Sequence, residues 1–83
     1  MDSDNKIPYG KISTAEELGA LIRLHRKSQQ VRINDVSEIS MLGERFIGEC
    51  ERGKVTCQIG KIFKLLACLG LEIRVYRGAA SNG

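Results

Sequence analysis

The side chains able to do chemistry in this sequence are few: one histidine, His25, and three cysteines, Cys50, Cys57 and Cys68. No Asp/Glu/Cys cluster surrounds His25 in the sequence, so the spacing identifies no partner for a nucleophile–base pair, and a satisfied histidine is the expected reading over a metal ligand. An odd number of cysteines with no C-x-x-C spacing fits neither a disulfide framework nor a zinc site. They read as small apolar side chains in a reducing cytoplasm. No glycine-rich loop has the spacing that cradles phosphates. The expectation is a protein that is not an enzyme and has no cofactor and no metal.

The remaining chemistry is charge. Arg23, Arg26, Lys27 and Arg32 fall within ten residues that hold no acid. Such a run is usually a solvated face, and it can equally meet phosphates. Further along, Glu44, Arg45, Glu49, Arg52 and Lys54 mix both signs. The chain has 13 Lys+Arg against 10 Asp+Glu, a net charge of +3 that permits a nucleic-acid partner without demanding one.

Eighty-three residues leave room for one small domain, which excludes two-domain and barrel enzymes. The 42% hydrophobic and 28% charged residues are those of a folded chain rather than a disordered one. With no Trp and only two Phe and two Tyr, its core must be mostly aliphatic. No apolar run is long enough to span a membrane, and Met1 to Gly10 lack the features of a signal peptide.

These groups need elements to position them. Residues 1–12 read as a flexible arm. Thr14 with Glu17 three residues on is a capping box, opening a helix that runs to about Lys27 with Leu18, Leu21 and Ile22 at helical spacing. His25 falls on the Leu18/Ile22 side, where a satisfied, partly buried histidine is expected. A second helix spans about Ile33 to Ser40 with Val36 and Ile39 inward, and Met41-Leu42-Gly43 is a tight connection. A third spans about Glu44 to Arg52, with Ile47 and Cys50 inside and Phe46 beside them, stopped by Gly53. Thr56 is expected to cap a fourth, about Cys57 to Leu69, with Ile59, Ile62, Phe63, Leu66 and Leu69 inside. After Gly70 the period falls to two: Leu71, Ile73 and Val75 alternate with Glu72, Arg74 and Tyr76, the pattern of a strand over 71–77. Residues 78–83 read as a disordered tail.

Two short helices joined by a three-residue turn have the geometry of a helix-turn-helix. Leu18-Gly19, Ile22-Arg23-x-x-Arg26, Val36 with Ile39, and above all Ile47-x-x-x-Glu51-Arg52-Gly53-Lys54 resemble the Cro/C1-type (XRE) helix-turn-helix family. The closing Leu65-Leu66-Ala67-Cys68-Leu69-Gly70-Leu71-Glu72-Ile73 is similar to the end of HipB-type antitoxins, which add a C-terminal strand. The resemblance covers roughly residues 14 to 76. It implies a mainly α, four-helix, lambda repressor-like domain over 13–70.

It also implies roles. Arg26 matches the arginine that pairs with the glutamate at Glu51, locking helix one onto helix three. Glu44, Arg45, Gly48 and Glu49 match base-reading positions on the exposed face of the third helix. There Arg45 could fork onto guanine and the glutamates could accept from cytosine N4; the glutamates are equally readable as a solvated face. Arg32, Arg52, Lys54 and Thr56, with the backbone N–H groups near Gly53 and Lys54, match phosphate contacts.

Departures accompany the match. Ile33 stands where the family has a glutamine, Met41 where it has a glycine, and Gly43 where it has a Ser or Thr cap; the small residue it has at Ser37 is present.

The strand has no mate in the chain, and pairing through Leu71, Ile73 and Val75 with a second copy would satisfy it in a two-fold dimer. The functional expectation is a nucleoid-associated repressor that binds operator DNA as a homodimer. The HipB-like ending adds an antitoxin that neutralises a HipA-like kinase toxin. The rival readings are a protein-interaction module that kept the fold but lost DNA affinity, and a phage-type repressor.

Overall fold

A computed structural model describes residues 7–78 and contains four helices in the described region: α1 (Ala15–Ser28), α2 (Ile33–Ser40), α3 (Glu44–Glu51) and α4 (Ile59–Cys68). Helix α3 packs against both α1 and α2, and α2 also packs against α4. Ile22, Val36, Leu42, Ile47, Cys50, Leu65 and Leu66 form the buried cluster at their meeting point. The core is aliphatic apart from the Cys50 thiol, with Phe46 half-buried at its edge.

Local chemistry sets where the helices begin and end. The Thr14 hydroxyl accepts from the Glu17 N–H at 3.0 Å, and the Glu17 carboxylate accepts from the Thr14 N–H at 3.2 Å. Both orphan donors are thereby satisfied reciprocally. At the end of α3 the Gly53 N–H donates to the Cys50 carbonyl and the Lys54 N–H to the Glu49 carbonyl. This is the Schellman arrangement, and it needs a left-handed residue, supplied by Gly53 at φ +85°. A side chain could not replace that hydrogen, because a Cβ on Gly53 would lie 2.8 Å from the Glu16 Cα. Helix α2 ends differently, on Met41 at φ 65°, a left-handed conformation adopted by a residue with a full side chain.

Gly19 sets the spacing of α1 and α3. A Cβ there would sit 2.8 Å from the Glu51 carbonyl oxygen and closer still to that of Cys50. The two helices touch backbone to backbone at this point.

Three expectations fail for related reasons. In α2 the inward stripe is Ile33, Val36, Ser37 and Ser40, so Ile39 lies outside it and is 73% exposed. In α4 the stripe is Ile62, Leu65, Leu66 and Leu69, which leaves Ile59 and Phe63 60% and 50% exposed on a flank and brings Leu65 fully inside. Both stripes follow the i, i+3, i+4, i+7 pattern, but each is rotated from the one expected. Thr56 does not cap α4. The helix starts at Ile59 with Gln58 as its cap residue and no side-chain cap bond, and Thr56 is exposed in the preceding connection.

Residues 71–78 form neither helix nor strand in the single chain. The Leu71 N–H donates to the Leu66 carbonyl at 2.8 Å, and the Leu71 side chain packs half-buried on the core. Beyond it, Arg74 and Glu72, two residues apart, pair at 2.8 Å, which places their side chains on one side. Ile73 is 44% and Val75 91% exposed. Residues 1–6 of the arm and 79–83 of the tail lie outside the described residues.

Candidate nucleic-acid interface

Arg26 and Glu51 hold the site's scaffold. Arg26 projects from the last turn of α1 and Glu51 from the last turn of α3, and both are buried. The guanidinium forks onto the carboxylate, Nε to Oε2 at 2.6 Å and Nη2 to Oε1 at 3.0 Å. Its third nitrogen, Nη1, donates to the Val31 carbonyl at 2.8 Å, pinning the residue that leads into α2. The hydrogen bond to Glu51 raises the Arg26 pKa further above its ordinary value, against the opposing effect of burial. One side chain therefore ties α1, the α1–α2 connection and α3 together, which fixes the attitude of α3.

With Ile47, Cys50 and Glu51 turned inward, α3 presents Glu44 and Arg45 fully to solvent and Glu49 partly. Arg45 is 89% exposed at its side chain. Glu49 sits between two cations: its carboxylate accepts from Arg45 Nε at 3.3 Å and from Lys54 Nζ at 3.1 Å. The hydrogen bond from Lys54, helped by the charges of Lys54 and Arg45, holds the Glu49 carboxyl below its ordinary value. Glu49 is thus neither a freely solvated acid nor an unpaired acceptor.

Gly48 is not on the exposed face. It is buried, and the Arg52 guanidinium lies over it, with Nη1 3.3 Å from where a Cβ would be. A glycine at this position accommodates the arginine rather than a base. The backbone N–H groups of Gly53 and Lys54 are not open to phosphates either, because both close the end of α3.

The positions matched to phosphate contacts, Arg32, Arg52, Lys54 and Thr56, are all exposed. Arg32 and Arg52 make no ion pair among the described residues. Arg32 stands at the start of α2, where its backbone N–H donates to the Asp35 carboxylate at 3.1 Å. Lys54 and Thr56 line a shallow cleft of about 130 Å³ with Phe46, Glu49, Cys57, Gln58 and Lys61. Lys61 belongs with this group and was not expected. Its ammonium lies 5.6 Å from the centre of the Phe46 ring. The sequence signal is faint: Gln58, the cap residue of α4, and Lys61 are polar residues three apart at the start of a largely apolar helix.

His25 is buried and fully partnered, with Nε2 2.8 Å from the Leu69 carbonyl and Nδ1 2.6 Å from the Tyr9 hydroxyl. Because the carbonyl can only accept, Nε2 donates to it, while Nδ1 pairs with the Tyr9 hydroxyl. His25 thereby ties the arm at Tyr9 and the end of α4 to α1. No group of three or more potential metal-ligating side chains occurs among the described residues, and no helix there is long and apolar enough to cross a membrane.

The α2–turn–α3 unit, with α3 held outward on the buried Arg26–Glu51 pair, defines a helix-turn-helix domain. The chain is 40% identical over 65 residues to the uncharacterized HTH-type transcriptional regulator y4mF of Sinorhizobium fredii (strain NBRC 101917 / NGR234), covering 78% of this chain and 86% of the relative. The chain belongs to the family of HTH-type transcriptional regulators. No family model matches it, and no solved structure does.

Proposed function

We propose that the protein is a sequence-specific DNA-binding regulator that represses transcription, with α3 in the major groove. The observation that carries this reading is a set of exposed cations, Arg52 and Lys54 at the end of α3 and Arg32 at the start of α2, with no ion pair at the Arg32 or Arg52 side chain among the described residues. Phosphate contacts would set register and supply most of the affinity, while Arg45, Glu44 and Glu49 would meet base edges. Membership of a transcriptional-regulator family supports the same reading. A protein acting on chromosomal DNA works in the cytoplasm, associated with the nucleoid.

The working form is a homodimer joined through residues 71–77. The exposure of Ile73 and Val75 in a segment whose Arg74 and Glu72 pair with each other supports an edge that a second copy pairs. Two copies would set their α3 helices about one DNA turn, roughly 34 Å, apart. The finer assignment is a Cro/C1-type, HipB-like antitoxin that also neutralises a kinase-type toxin and controls its own operon. It rests on the similarity of residues 65–73 to the ends of such antitoxins. One observation favours a second reading, a protein-interaction module: Glu49 occupies Arg45 and Lys54, which reduces the charge free for DNA.

Titration against the DNA upstream of its own gene at two salt concentrations separates the readings. Three phosphate-contacting cations per protomer, doubled in a dimer, give a log–log salt slope of roughly −5. A slope of that order with preference for one sequence supports the regulator; no binding at low salt refutes it and leaves the interaction module. For the dimer, Ile73→Asp is expected to yield a monomer by light scattering, and an unchanged mass would refute strand pairing.

A further inference from the structure

Cys50, in the last turn of α3, and Cys57, in the connection to α4, place their sulfur atoms 3.2 Å apart, and both thiols are free. Their surroundings differ. Cys50 belongs to the buried core. Cys57 is half-buried and lines the cleft that holds Lys54 and Lys61. Cys68 has no such neighbour among the described residues.

We propose that Cys50 and Cys57 form an oxidisable dithiol site that takes hydrogen peroxide and closes to an intramolecular disulfide, tying the end of α3 to the α3–α4 connection. The asymmetry orders the chemistry. Burial first, then the contact with Cys57, pushes the Cys50 thiol up to about 12, so it stays protonated at neutral pH. Cys57, which the cleft opens to solvent, is the attacking sulfur. As its thiolate it attacks one peroxide oxygen; the O–O bond breaks, and hydroxide leaves and takes up the proton Cys57 released, giving water and a Cys57 sulfenic acid. Cys50 then attacks the sulfenic sulfur, loses its own proton, and displaces hydroxide, which that proton converts to the second water. Two thiols and one peroxide become one disulfide and two waters, with two electrons passing from sulfur to oxygen. Closure needs the sulfurs to move only from 3.2 Å to about 2.05 Å. The bond would restrain the connection that carries Lys54 and Thr56.

The site is independent of the DNA reading, and so is its test. The reduced full-length protein is titrated with hydrogen peroxide and followed by intact mass. The expected result is a loss of about 2 Da reversed by dithiothreitol, the signature of one disulfide. Trypsin cleaves at Arg52 and Lys54, between the two cysteines, so the digest should contain a linked pair joining the Cys50 and Cys57 peptides. Cys68→Ser should form the bond as the wild type does, and Cys57→Ser should not. The proposal is overturned if Cys68 oxidises while no Cys50–Cys57 linked peptide forms, or if Cys57→Ser shows the same reversible mass loss.

Discussion

Replacing Arg26 tests whether the α1–α3 scaffold rests on a buried ion pair. Arg26→Ala removes both bonds to Glu51 and the bond to the Val31 carbonyl. Glu51, whose side chain is only 4% exposed, is left as an uncompensated buried charge. Breaking such a pair from one side costs about 3–5 kcal/mol. An 83-residue domain has a total stability of roughly 4–12 kcal/mol, so one substitution removes a large part of it. At about 4–8 °C per kcal/mol for a domain of this size, the melting temperature should fall by at least about 12 °C.

Urea unfolding followed by far-ultraviolet circular dichroism measures the loss, and the design needs its reciprocal. Glu51→Leu alone strands the guanidinium and should be comparably severe. The double variant Arg26→Met with Glu51→Leu removes both charges and restores apolar packing, so it should lie within about 1 kcal/mol of the wild type. With Arg26→Met as the second single variant, which strands Glu51 as Arg26→Ala does, the cycle would then show a coupling of at least about 3 kcal/mol. A loss below about 1 kcal/mol for Arg26→Ala, the range of an exposed pair, would refute the claim that this bridge is the scaffold.

Other substitutions read single features of the fold. Met41→Gly should stabilise by up to about 1 kcal/mol in the same urea assay, because it relieves a left-handed residue whose side chain is 80% exposed and packs on little. Gly19→Ala should destabilise by more than about 2 kcal/mol, since the obstructing atoms are backbone carbonyls that cannot swing aside. The Glu49 carboxyl is held below its ordinary value of 4.5, so its contribution is present above that value and is lost as pH falls through the lowered one. An NMR titration should show the Glu49 carboxyl signal moving only below the ordinary glutamate value of 4.5, and a midpoint at or above that value would contradict the Arg45–Glu49–Lys54 cage.

Signals confined to neighbouring residues were legible. Thr14 with Glu17 marked the start of α1, and Gly53 marked the end of α3, because a capping box and a left-handed stop need only a few adjacent positions. The bounds of α2 were legible for the same reason. The rotation of α2 and α4 was not. Helix α4 carries more apolar residues than one stripe can hold and α2 carries fewer, and only the packed neighbours decide that Ser40 turns in while Ile39 turns out. Pairs far apart in the chain were closed to spacing arguments. Arg26 and Glu51 are 25 residues apart and came from family resemblance alone, while Tyr9–His25 and Cys50–Cys57 had no local signature.

The outward face of α3 shows what base reading would demand of this domain. Glu49 already has two cationic partners, so its oxygens reach a cytosine amino group only while sharing lone pairs with Arg45 and Lys54. Arg45 contacts Glu49 through Nε, which leaves its two terminal nitrogens for a guanine edge. Lys54 has the opposite choice, because a single ammonium must divide itself between Glu49 and a phosphate. Each movement of Lys54 toward DNA would therefore uncover negative charge on Glu49 next to the backbone, a cost that a donating base edge such as cytosine N4 could offset. On the proposed reading, this arrangement would penalise occupancy of the wrong sequence more than it would strengthen binding to any DNA, so that a +3 protein reading bases with Glu44 and Glu49 would gain selectivity at the expense of affinity.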